Sequence, residues 1–205
     1  MKLKNIYGSL VVLSFFLVAS FYFISCSSDN TFVTQNNQTL LFSDDFRFFD
    51  TVKWTSTGTI HIDSTDGYPL PCVNTGSASI TNVGTFSTSQ DLTVSAAYRK
   101  LDTASTNPVT IRFLDNGSQY IAASFYKDNI NIYIPSQGYN QAFNFPIDTA
   151  FHTFSNKITT DGTNKFYRDN VLFSTVTISG THLLSMSLSS VNVAARFDNA
   201  VITTP

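Results

Sequence analysis

An all-β fold, built as a two-sheet antiparallel sandwich or a barrel, is predicted by three observations. From residue 41 onward apolar and polar residues alternate almost without a break, which is the period of a half-buried strand. Clusters of Gly, Asn and Asp punctuate the alternating runs and read as turns. No 3.6-residue periodicity persists for three turns in 41–205, and helix formers are sparse beside Thr, Ser, Asn, Val, Ile and Phe. About ten or more short strands joined by polar turns fit two packed sheets or a closed barrel.

The runs follow in order. Thr57 to Asp63 alternates and stops near Asp66-Gly67, and Ser77 to Val83 follows. Asp91 to Lys100 puts Leu92, Val94, Ala96 and Tyr98 on one face. Val109 to Leu114 turns Ile111 and Phe113 inward, and Asp115-Asn116-Gly117 reverses the chain. Tyr120 to Tyr126 buries Ile121, Ala123 and Phe125. After the turn at Lys127-Asp128-Asn129, Ile130, Ile132 and Ile134 continue the buried face. Tyr139 and Phe143 read as part of a loop. Later runs are Phe151 to Thr159, Lys165 to Val176, Leu183 to Ser189 and Val191 to Ile202, with tight-turn signals at Asp161-Gly162 and Asp169-Asn170. No internal repeat is visible.

The N-terminus has a different character. Lys2 and Lys4 precede an apolar stretch from Leu10 to Ile24, the layout of a helical secretory signal. The stretch is short for a membrane span, which needs roughly 20 apolar residues. It ends at Phe23-Ile24-Ser25-Cys26, which resembles the lipobox of bacterial lipoproteins. That resemblance implies a signal peptide over 1–25 and lipid on Cys26, the mature N-terminus. Two or more acyl chains anchor stably where one does not. An uncleaved anchor, or an ordinary signal with an incidental cysteine, remains the alternative. The same lipoprotein resemblance implies, from Ser27 rather than Asp after the cysteine, the outer membrane or cell surface, with a periplasmic-facing domain also open. Residues 26–40 are rich in Ser, Thr, Asn and Gln and read as a lipidated, flexible tether, and 41–205 as one domain.

Composition narrows the function classes. Net charge is −2 and no Lys/Arg cluster occurs, which argues against nucleic acid as a partner. All 14 acidic residues are Asp; Glu is absent. With Cys26 assigned to lipid, Cys72 has no partner in the chain and reads as a buried, inert thiol. The three histidines, His61, His152 and His182, are scattered, and no GxSxG, CxxC or HExxH pattern is present.

Three segments carry a resemblance: Phe42-Ser43-Asp44-Asp45-Phe46 with Asp50-Thr51-Val52-Lys53-Trp54; Phe151-His152-Thr153-Phe154 with Asp161-Gly162 and Lys165 to Leu172; and Arg196-Phe197-Asp198-Asn199-Ala200-Val201. They resemble the opening, the late hairpin and the closing strand of the concanavalin A-like lectin/glucanase superfamily. The resemblance implies an antiparallel jelly-roll sandwich. It also implies a possible structural Ca²⁺ near the first and last strands, with Asp44, Asp45 and Asp198 at the matching positions; backbone hydrogen bonding and turn capping are the other reading of the same residues. Glycosidases of the superfamily carry an ExDxxE strand whose two carboxyls flank the scissile bond. A chain without Glu lacks it, so a non-catalytic domain is expected.

The remaining signal is aromatic and cationic. Opposite the buried residues of the central runs stand Arg99, Arg112, Tyr126 and Tyr133. Tyr stacks on sugar rings while its hydroxyl hydrogen-bonds, and Arg supplies fixed donors. If the runs are neighbours, the four converge on one ligand-binding patch for a glycan or another envelope or host ligand. The same residues are also ordinary occupants of a half-exposed sheet. A structural or adhesive envelope protein and a divergent glycoside hydrolase are the competing classes.

Overall fold

The computed structural model describes residues 38–67, 71–146 and 148–205. The expected signal peptide, the expected lipidation site Cys26 and most of the expected tether lie outside them. The described residues form β1 (Thr39–Asp44), β2 (Trp54–Thr57), β3 (His61–Asp63), β4 (Cys72–Asn74), β5 (Ser79–Asn82), β6 (Phe86–Ser87), β7 (Leu92–Lys100) and β8 (Val109–Asp115). These are followed by β9 (Ser118–Phe125), β10 (Asn129–Ile134), β11 (Tyr139–Asn144), β12 (His152–Ile158), β13 (Thr163–Arg168), β14 (Val171–Thr177), β15 (Leu183–Ser190) and β16 (Ala195–Thr204). The only helical segment among them is a single 3-10 turn, Pro135–Gln137.

The strands make two eight-stranded antiparallel sheets packed as a jelly-roll sandwich, as expected. One runs β14-β13-β12-β7-β16-β4-β3, with β1 also on β16. The other runs β11-β10-β9-β8-β15-β5-β2, with β6 also on β15. The alternation in the sequence explains the packing. Leu92, Val94, Ala96 and Tyr98 face Ile111, Phe113, Ile121, Phe125 and Ile132 across the sandwich, and all are buried. Tyr98 stacks on Phe125 at 3.8 Å between centroids, and Phe125 meets Phe154 edge-on at 5.6 Å. Each such side chain contributes roughly 1.5–3 kcal/mol by leaving water.

The turn chemistry is also as expected in two hairpins. Asn116 and Gly117 take φ of 48° and 82° between β8 and β9, and Asp169 and Asn170 take 50° and 65° between β13 and β14. Positive φ at both central residues matches the twist of the flanking strands.

Four expectations are corrected. Residues 57–63 are not one strand: Gly58 (φ 86°) breaks the run, and β2 and β3 belong to different sheets. Tyr139 and Phe143 lie in β11, an edge strand whose alternation is masked by Asn and Gln. The last strand starts at Ala195 rather than Val191, after a bend at Asn192 (φ 51°). The first starts at Thr39, two residues inside the stretch read as tether, because Thr39 and Leu40 pair with Thr204 and Thr203.

Candidate functional site

Outward side chains of β8, β9, β10 and β11 build a cleft of about 330 Å³, lined by Arg112, Gln119, Ala122, Ser124, Tyr126, Asn131, Tyr133 and Asn140. Strand register explains its shape. Arg112 pairs with Ala122, Ala122 with Tyr133, and Tyr133 with Asn140, so one row crosses four strands. Neighbouring strands lie about 4.8 Å apart, which sets Arg112 and Tyr133 roughly 10 Å apart with only a methyl group between them. The next row is Thr110, Ser124 and Asn131, and the Thr110 and Ser124 hydroxyls share a hydrogen bond of 3.3 Å. Ala122 therefore forms a low floor flanked by a guanidinium on one side and a phenol ring on the other. Tyr133 is 41% exposed; Arg112 and Tyr126 are half-buried. No carboxylate lines the cleft.

Three of the four residues anticipated from the sequence, Arg112, Tyr126 and Tyr133, meet in this cleft, on the solvent side of their sheet. Arg99 does not join them. It points outward from β7, which belongs to the opposite sheet. Alternation assigns each side chain to the inside or outside of a sandwich but cannot say which of two opposite outer faces it reaches. There Arg99 donates to Asp66 Oδ2 at 2.5 Å and lies 5.8 Å from the Phe151 ring. Arg196 also donates to Asp66, and to Asp63 at 2.5 Å, so two guanidinium groups and two carboxylates neutralise one another.

Ala122, Ser124, Asn131, Gln119 and Asn140 were not anticipated. The first three share the parity of Arg112, Tyr126 and Tyr133 and were legible by the same alternation. Gln119 was not, because β9 carries a bulge: Phe113 pairs with Ile121 but Leu114 with Gln119. The extra residue, Tyr120, turns inward and packs 4.4 Å from His182.

The aspartates of the opening and closing segments do structural work. Asp44 Oδ1 accepts the Phe46 N–H at 2.7 Å and its Oδ2 accepts the Trp54 Nε1–H at 2.9 Å. This holds Phe46 at φ 52° and clamps its ring 5.3 Å from Trp54. Asp45 is engaged by Arg47 at 2.7 Å on the surface. Asp198 is buried, accepts the Asn199 N–H at 2.6 Å, and opens a bulge in β16 at which Asn199 takes φ 48°. Among the described residues no three His, Cys or Asp side chains gather as a metal-holding group. In this structure the three aspartates are engaged by backbone and side-chain donors, which is the hydrogen-bonding and turn-capping reading of the same residues.

His152, Cys72 and Lys100 are not among the residues that line the cleft. His152 places Nδ1 at 2.8 Å from Asp169, and Nε2 at 3.0 Å from Asp148 and 2.9 Å from Arg168 Nη2. Asp169 also accepts the Thr153 N–H, so the cluster staples the β13–β14 turn to the start of β12. Burial pushes the Cys72 thiol up to about 12, which leaves it protonated and unreactive. Burial lowers Lys100, whose ammonium donates to the Ser105 carbonyl at 2.6 Å.

No family model matches the chain, and no curated protein matches it. Solved structures do. The cellulose-induced protein Cip1 is 18% identical, with a TM-score of 0.60 over 78% of this chain and 96% of that one. The carbohydrate esterase vb_24B_21 of the Shiga toxin-encoding bacteriophage phi24B is 10% identical, with a TM-score of 0.60 over 82% and 99%. Botulinum neurotoxin type C, described as entering cells through interaction with two ganglioside molecules, is 11% identical, with a TM-score of 0.54 over 74% and 43%. At these identities the likeness establishes a shared jelly-roll fold.

Proposed function

We propose that this chain is a lipoprotein, anchored through Cys26 at the outer membrane or cell surface, whose jelly-roll domain binds a carbohydrate without turning it over. The observation that carries the reading is the cleft. A half-exposed Tyr133 ring offers a stacking surface, Ala122 leaves the floor open, and Arg112, Gln119, Ser124, Asn131 and Asn140 offer hydrogen-bonding groups suited to sugar hydroxyls. The fold neighbours include a carbohydrate esterase and a ganglioside-dependent toxin, in keeping with a glycan ligand. Glycoside hydrolysis calls for two carboxyl groups across the scissile bond, and the cleft lining has none.

The test is a glycan array probed with the full chain in detergent, as wild type and as Tyr133→Ala. Retention of a defined set of glycans by the wild type, lost in the variant, is expected, with no reducing ends released on incubation. Failure to retain any glycan would point to a structural or adhesive envelope protein. Release of reducing ends would point to a glycosidase.

A further inference from the structure

The arginines of the chain are not treated alike. Arg47 pairs with Asp45, Arg99 with Asp66, Arg168 with Asp169, and Arg196 with Asp63 and Asp66. Arg112 is the only arginine that makes no ion pair or side-chain hydrogen bond among the described residues. Acidic residues outnumber Lys and Arg by 14 to 12, so counter-charges are available to the fold. Among the described residues none forms an ion pair with this guanidinium, and the other residues lining the cleft are neutral.

From this we infer that the ligand is an anionic sugar whose carboxylate or sulfate is held by Arg112. The inference rests on the glycan-binding reading of the cleft and names its substrate class. A guanidinium presents a planar fork of donors that matches a carboxylate or sulfate in two parallel hydrogen bonds. Arg112 and Tyr133 face each other across Ala122, two strand spacings apart, so a ring stacked on Tyr133 directs its substituent toward the guanidinium. Ser187, the other cross-strand neighbour of Arg112, is tied to Ser79 by a 3.0 Å hydrogen bond and is buried, which leaves the ligand side as the open side.

The experiment measures binding by calorimetry, using the full chain in detergent. Probes are oligomers of galacturonate, glucuronate and mannuronate, their carboxyl-reduced counterparts, and sulfated oligosaccharides of the same length. Charge-assisted hydrogen bonds predict that at least one anionic oligomer binds about tenfold to a hundredfold tighter than its neutral counterpart. Arg112→Gln should erase that preference and Arg112→Lys restore part of it, with unfolding midpoints unchanged. The preference should weaken as salt rises. A preference for the sulfated probes over uronates assigns the same site to a sulfate ester; the reverse assigns it to a carboxylate. Equal binding of neutral and anionic oligomers, unaffected by Arg112→Gln, would overturn the anionic assignment and leave glycan binding standing. Binding of no probe, neutral or anionic, together with a blank glycan array, would overturn both.

Discussion

Replacing Asp44 with Ala should remove a large share of the domain's stability. The carboxylate is 7% exposed and serves two donors at once, the Phe46 backbone N–H and the Trp54 indole N–H. Hydrogen bonds to a charged acceptor contribute about 1.5–3 kcal/mol each, and an unpaired buried donor is costly to leave behind. Phe46 sits at φ 52°, where a side chain costs roughly 1–2 kcal/mol, so the Asp44 bond also holds a conformation that would otherwise relax. Both bonds lost, partly offset by water entering the gap, give about 3–5 kcal/mol. Typical domains have ~5–15 kcal/mol in total. At ~2–4 °C per kcal/mol for a domain of this size, the melting temperature should fall by about 10 °C. Asp44→Asn keeps one acceptor and should lose about half as much. Trp54, the single tryptophan, reports directly, so urea unfolding can be followed by its emission, with EDTA and with added Ca²⁺. A loss below about 1 kcal/mol would refute the reasoning. So would a Ca²⁺-dependent wild-type melt that Asp44→Ala abolishes, which would make Asp44 a metal ligand instead.

Tyr133→Ala should change stability by no more than about 0.5 kcal/mol while weakening glycan binding, because its side chain is exposed on the outer face, and Tyr126→Ala, at a half-buried residue, should weaken binding at a somewhat larger cost in stability; a marked drop in the urea midpoint for Tyr133→Ala would show it to be a packing residue. Gly162→Ala should cost at least about 2 kcal/mol in the same assay, since φ is 84° and the new Cβ would lie 2.2 Å from the Ile178 carbonyl oxygen; a neutral variant would contradict the backbone geometry. Hydrogen bonds from Thr65, and then Arg196, hold Asp63 down from 3.8 to about 2; the Ala150 N–H and His152 lower Asp148, and the Thr159 hydroxyl lowers Asp161. Depressed carboxyls stabilise the fold above their unfolded values, so this contribution is complete above pH ~4 and is lost as pH falls toward ~2; a urea midpoint flat across that window would contradict it. Cys26→Ser should abolish palmitate labelling in a bacterium with the lipoprotein pathway, and an unlabelled wild type would remove the anchor.

The sequence disclosed the sandwich because both sheets bury one face, and burial on one face writes a period of two into each strand. It disclosed the Asn116-Gly117 and Asp169-Asn170 hairpins because positive φ selects for these residues. It misread 57–63 because one glycine can pass a chain between sheets without disturbing the alternation on either side. Part of the cleft was legible for the same reason as the core: Arg112, Tyr126 and Tyr133 oppose Ile111, Phe125 and Ile132 in parity. Arg99 obeys the same rule and still lies on the far side of the molecule, since parity carries no information about strand order. Strand order depends on pairings such as Arg112 with Ser187 and Arg99 with Arg196, distant in sequence, which no local pattern encodes. Gln119 was hidden by the Tyr120 bulge, and Asn140 by an edge strand too polar to alternate.

Glycan binding on the outer face of β8–β11 is tested most directly by amide chemical-shift mapping of the full chain in detergent micelles, titrated with the tightest-binding oligosaccharide from the array. Shifts should concentrate at Arg112, Gln119, Ala122, Ser124, Tyr126, Asn131, Tyr133 and Asn140, the residues lining the cleft, and leave Arg99 and Arg196 unmoved. Shifts centred on the opposite face, around Asp63, Arg99 and Arg196, would contradict the assignment of the site.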